Sequence, residues 1–125
     1  MTALHELGAL DLWRLLHARD VSALEVSQHF LERIDRLDEA NAFVHVDAEL
    51  ALAKARAADD AEDRTGLIHG LPFADKHLGQ RAGQPADWSS EAFRGVVADS
   101  TDEVATVLDA AGGVTLGRTN APEIL

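Results

Sequence analysis

The junction at Gly112-Gly113 constrains this chain more than any other feature, because it separates a helical stripe from a β-branched run. Upstream, Val104, Val107, Leu108 and Ala111 recur at helical spacing, and Ser100 with Glu103 forms a capping-box pattern. The glycine pair is a plausible helix C-cap, and Val114-Thr115-Leu116 follows as a short strand, with Gly117 to Leu125 starting a new connection. An earlier segment, Gly66 to Lys76, has a breaker at each end of a short turn and then a brief apolar run. It reads as a loop feeding a strand. Between the two strands, Gly79 to Gly95 has no sustained period and reads as an irregular loop. A strand, helix, strand run of this length favours a parallel pair joined by a right-handed crossover.

Parallel strands need cover on both faces, and the first half of the chain offers helices for one of them. Leu12, Trp13, Leu15 and Leu16 mark a helix over Ala9–Ala18. A second helix begins at Ser22, whose capping box is completed by Glu25, and shows its apolar face at Val26, Phe30, Ile34 and Leu37. Asn41 to Val46 fits a short strand, and the Ala-rich stretch from Asp47 to Asp63 a third helix. One crossover helix covers little of the second face. The expected fold class is therefore α/β, N-terminal helices followed by strand-loop-helix-strand, with the sheet incomplete at Leu125.

Composition narrows function by exclusion. The 125 residues are 46% hydrophobic and 26% charged, as in ordinary globular domains. No apolar run approaches the length of a membrane span, and Met1 to Leu12 carries acidic residues without Lys or Arg, so the expected compartment is the cytoplasm. The absence of cysteine excludes disulfides, a thiolate zinc site and a cysteine nucleophile. A net charge of −11 repels phosphate backbones and anionic lipid, so neither nucleic acid nor membrane is an expected partner.

Few residues invite chemistry. Gly112, Gly113 and Gly117 lie between helix and strand, whereas a dinucleotide fingerprint needs its glycines between strand and helix. His69 and His77 flank the first core strand, but nothing is spaced to complete a metal shell with them. Lys76 follows the apolar run Leu71 to Ala74, at the end of a buried strand. A desolvated lysine can serve as a neutral base. A strand-end lysine reaching solvent along its stem fits the same spacing.

Three segments, in order, resemble the amidase signature family. Gly66-Leu67-Ile68-His69-Gly70-Leu71-Pro72-Phe73-Ala74-Asp75-Lys76 resembles its Leu-His-Gly-Ile-Pro-to-Lys segment. Gly83-Gln84-Pro85 with Ser89-Ser90 resembles its Gly-x-Pro-Thr-Thr-x-Gly-Ser loop. Gly112 to Glu123, reading Gly-Gly-Val-Thr-Leu-Gly-Arg-Thr-Asn-Ala-Pro-Glu, resembles its Ala-Gly-Ala-Val-x-x-Gly-Lys-Thr-Asn-x-Pro-Glu segment. Ala51-Leu52, Ala55 and Asp59 also keep the family's Ala-Leu-x-x-Ala-x-x-x-Asp spacing.

The resemblance implies a hydrolase of carboxylic amides with a Ser-cisSer-Lys triad, in which Lys76 is the base, an intermediate serine relays the proton and a second serine attacks. It implies no metal or organic cofactor and a small-molecule amide substrate; oligomeric state is not indicated. Residues 1–125 would be the N-terminal portion of a single amidase domain, helical over 1–65 with the α/β core starting at 66–125. Nothing after Lys76 matches the segment that holds the triad serines, and Ser89-Ser90 aligns with the substrate-side loop. The isolated chain is therefore expected to be inactive. The alternatives are a truncated remnant or interaction module, and a piece of a glutamine-dependent amidotransferase subunit. The chain departs from the family pattern in three places. Asp75 stands just before the lysine, where an apolar residue is common. His77 stands where Asp commonly follows the lysine, and Ala86-Asp87 stands where two threonines are common.

Overall fold

Local signals place the first helices. The computed structural model describes residues 2–124, with helices α1 (Ala9–Ala18) and α2 (Ala23–Leu37) after a single 3-10 turn at Leu4–Glu6. Helix α2 begins as its sequence predicts: Ser22 Oγ accepts from Glu25 N at 3.1 Å, and Glu25 Oε2 accepts from Ser22 N at 2.9 Å. Two of the helix's unpaired donors are satisfied in this way. Strand β1 (Phe43–Val46) and helix α3 (Ala48–Asp60) follow, with Asp47 capping α3 through Leu50 N. Helix α3 ends at Asp60, three residues before the predicted end, where Ala61 turns extended.

Strand β2 (Pro72–Lys76), helix α4 (Glu103–Ala110) and strand β3 (Val114–Thr119) complete the described chain. The helix cap expected at Ser100 is supplied by Asp102 instead. Its carboxylate accepts from Ala105 N at 3.0 Å and also from Gln80 N at 2.8 Å, so it secures the preceding loop as well as the helix. At the other end, Gly112 takes φ +86, Gly112 N bonds Asp109 O at 3.0 Å and Gly113 N bonds Leu108 O at 3.2 Å. That is the double-bonded C-terminal lock for which glycine is suited.

The sheet order is β1-β3-β2, with β3 parallel to β2 and antiparallel to β1. Strand β3 runs three residues beyond the Leu116 end that its apolar pattern marks, because Gly117, Arg118 and Thr119 pair with β1 as well as β2. Gly117 thus lies inside the strand rather than opening a connection. The core lies between the helices and one sheet face: Leu12, Leu16, Val26, Ala51 and Ala55 pack with Val114 and Leu116. Leu37, on the predicted apolar face of α2, is 52% exposed and lines an open cleft of about 520 Å³ with Phe30, Ile34 and Phe73. The loop after β2 is less irregular than its sequence suggests. Gly83 N donates to Ala98 O, Ala98 N to Gln84 O and Ala86 N to Val96 O across it, and a 3-10 turn spans Glu91–Phe93.

Candidate active site

Strands β2 and β3 run parallel, so their carboxyl ends emerge side by side. Lys76, the last residue of β2, is in register with Thr119, the last residue of β3. The Lys76 side chain is exposed. Asp75 faces the other side of the sheet, as strand alternation requires. There its Oδ2 accepts from Arg81 Nε at 2.6 Å and from Thr115 Oγ1 at 2.8 Å.

Arg81 is 6% exposed and also donates to Asp109 Oδ2 at 2.8 Å, an oxygen shared with Lys54 Nζ at 2.8 Å. Burial pushes the Asp109 carboxyl up, but the Arg81 and Lys54 hydrogen bonds outweigh burial and hold it below its ordinary value. Burial likewise opposes the charge on Arg81, and the two aspartates more than restore it. Nearby, Arg118 is 1% exposed, and burial lowers its pKa despite Asp75 and Asp102. Arg118 Nη2 donates to the Gly79 carbonyl, and its other two nitrogens have no partner among the described residues.

The residue after Lys76 turns inward. His77 is 3% exposed; its backbone N–H donates to Thr119 O at 2.8 Å, and its Nε2 meets Asp87 Oδ1 at 2.7 Å. A carboxylate oxygen only accepts, so the ring donates through Nε2. The bond from His77 holds the Asp87 carboxyl below the usual range. Asp87 Oδ1 also accepts from Ser89 N at 2.9 Å, bending Trp88 and Ser89 into positive φ of 48° and 57°. Ser89 Oγ donates to Asn120 Oδ1 at 3.0 Å, and Ser90 Oγ to Glu123 Oε1 at 2.8 Å. The second and third segments singled out in the sequence therefore meet, with His77 from the end of the first, around a cavity of about 330 Å³ lined by His77, Asp87, Ser89, Ser90, Arg94 and Asn120.

Neither serine hydroxyl is directed at Lys76. His69 bonds the Ala58 carbonyl at 2.8 Å, so the two histidines flanking β2 serve separate partners. Among the described residues, no cluster of three metal-ligating side chains occurs, and no helix is long and apolar enough to cross a membrane.

The family model described as Amidase matches residues 25–125. The chain belongs to the amidase family. A glutamyl-tRNA(Gln) amidotransferase subunit from Burkholderia thailandensis is 41% identical to it over 122 residues, covering 96% of this chain and 25% of that protein. Native peptide amidase from Stenotrophomonas maltophilia superposes with a TM-score of 0.85 at 28% identity, over 95% of this chain and 26% of that one. An amidase family protein from Bacillus anthracis gives a TM-score of 0.84 at 22% identity, over 94% and 24%, a likeness of fold. The chain thus spans about a quarter of the length of these relatives.

The amidase signature resemblance and the α/β fold expected from the sequence are both found. The Arg81 network and the His77–Asp87 contact were not anticipated. A signal for the second existed: His77 and Asp87 are both positions where the chain departs from the family pattern.

Proposed function

We propose that the native polypeptide carrying this sequence hydrolyses the C–N bond of a small carboxylic amide and that Lys76 is its base. The reading is supported above all by one juxtaposition: Lys76, the Ser89-Ser90 loop and the Asn120–Glu123 segment gather at the carboxyl ends of two parallel strands. In open α/β sheets that is where ligands bind. Lys76 would accept a proton through one serine from a second, which attacks the amide carbonyl; the proton passes on to the departing amine, and water then releases the acid from the acyl-serine. Ser89 and Ser90 fill neither serine role, since their hydroxyls are engaged by Asn120 and Glu123. The serines would come from elsewhere in the native polypeptide, within one amidase domain of which residues 1–125 form the N-terminal part. The strong negative charge disfavours contact with nucleic acid and anionic membrane, and the compartment proposed is the cytoplasm.

The test is Lys76→Ala in the native polypeptide, assayed by ammonia release from a panel of aliphatic and aryl amides. A loss of about 10³-fold or more is expected for a triad member. Activity within about tenfold of the parent would remove Lys76 from the mechanism.

A second reading rests on the 41% identity to an amidotransferase component: the ammonia released from glutamine would be passed to an acceptor held by a partner protein. Glutamine hydrolysis that rises on adding such a partner, with other amides left intact, distinguishes it.

A further inference from the structure

We propose that His77 and Asp87 form an exchanged positioning pair, in which the carboxylate expected beside the lysine has moved across to the facing loop and a histidine on the strand now holds it. The inference rests on the amidase reading only for what Lys76 does, and on geometry for the rest. Two of the departures from the family pattern, His77 and Asp87, lie ten residues apart in sequence and 2.7 Å apart in space. Two unrelated substitutions would have no reason to meet, least of all with one partner buried at 3% exposure.

The pair acts on Lys76 through the chain. His77 is its immediate neighbour and is held by two contacts, the backbone bond to Thr119 and the side-chain bond to Asp87. Nδ1 of the same ring has no partner among the described residues. Among the described residues, Asp87 therefore supplies the only hydrogen bond of a buried imidazole. Without it both ring nitrogens are orphaned, a strongly unfavourable state that the ring escapes by swinging outward. That motion drags the backbone at position 77 and, with it, the Lys76 Cα. On the loop side, Asp87 also binds Ser89 N and so steadies two successive residues in left-handed backbone, a conformation that L-residues adopt at a cost. One oxygen of Asp87 thus couples the lysine-bearing strand end to the loop that faces it.

An exchanged pair makes a distinctive prediction. Asp87→Thr alone strands the histidine, and His77→Asp alone sets two carboxylates against each other. The double substitution restores the carboxylate to the strand and a hydroxyl to the loop. In the native polypeptide each single change should lower kcat by about tenfold to a hundredfold with KM nearly unchanged, as small misplacements of a catalytic group do, and the double should regain most of the loss. A double variant no better than the worse single, or singles within about twofold of the parent, overturns the pairing. Should Asp87→Thr fail to fold, Asp87→Asn keeps the size and loses the charge; a drop of about threefold or more is expected, and an unchanged kcat sinks the idea. A parallel readout needs no turnover: the rate at which acetic anhydride acylates Lys76, followed by peptide mass spectrometry. It should change in each single variant and return in the double. If the parent hydrolyses no amide while acylation follows this pattern, the pairing stands and the amidase reading falls. If acylation ignores all the variants, the pairing falls whatever the activity.

Discussion

Asp59, in the last turn of α3, grips the first turn of α2: its Oδ1 accepts from Ala23 N at 2.7 Å, and its Oδ2 from Leu24 N at 3.0 Å. Together with Ser22 and Glu25, it satisfies the four amides at the start of α2, Ser22 through Glu25. A carboxylate at the C-terminal end of its own helix is unfavourable for the dipole there, but it faces the positive end of another. The contact also fixes how α2 and α3 lie against each other over Val114 and Leu116.

Asp59→Ala should therefore destabilise the protein by about 1–3 kcal/mol, the cost of two part-buried amides left without an acceptor. Asp59→Asn should recover part of that, because one oxygen remains. Denaturant midpoints of the three proteins check the order, and equal midpoints for Ala and the parent would contradict it.

Gly117 lies within β3, where a Cβ would collide with the His45 carbonyl oxygen of β1. The obstacle is backbone, which cannot rotate away as a side chain can. Gly117→Ala should separate β1 from β3 and cost about 1–3 kcal/mol or more. Hydrogen exchange should register it selectively: the amide of Asn120, bonded to Ala42 O at 2.7 Å, should lose protection before those of β2. Uniform loss of protection would place the clash elsewhere.

The acid limb of stability should be set in part by Asp102. The Ala105 and Gln80 amides that bond its carboxylate hold its pKa below the ordinary value. A folded-state pKa below the unfolded one contributes stability that is present above the unfolded value and is lost as pH falls through the folded one. Removing the cap with Asp102→Ala should cost about 1–2 kcal/mol near neutrality. The gap between variant and parent should narrow as pH drops below about 4. Asp87, lowered by His77, acts in the same direction. Melting temperatures at a series of pH values test this, and a gap that widens in acid would reverse the sign.

Much of this was legible because it is local. The Ser22–Glu25 box, the Gly112-Gly113 stop and the strand at Val114 are each specified by residues within one turn of one another. The start of α4 shows where that ends. Ser100 and Asp102 can both precede a helix, and the choice falls to Asp102 because it reaches Gln80 as well, a contact 22 residues away that leaves no periodic trace. Leu37 sits on the right helical face yet stays half exposed, because an apolar pattern states which face seeks cover and not what covers it. At the candidate site, Lys76 was singled out through motif order. It stands at a strand end as its apolar lead-in suggests, but β2 is a half-buried edge strand among the described residues rather than the expected buried one, and the lysine side chain is exposed. His77 and Asp87 appeared in the sequence as two separate irregularities. Only the loop that folds back between them makes them one feature.

Expressed alone, the 125 residues should hydrolyse no amide above background. A lone lysine can accept a proton but cannot carry an acyl group, and the two serines beside the site are bonded to Asn120 and Glu123. The same chain should associate in solution. Among the described residues, strands β1 and β2 are both sheet edges, each with one row of backbone groups facing no strand, and the cleft of about 520 Å³ beside β2 is lined largely by apolar side chains. Size-exclusion chromatography with light scattering should report species larger than 13.4 kDa, increasing with concentration. Replacing the exposed Val44 of β1 with Lys should suppress association through that edge and leave association through β2 in place. Ammonia release that survives purification of the chain alone and disappears in Lys76→Ala would mean that residues 1–125 already contain a working nucleophile.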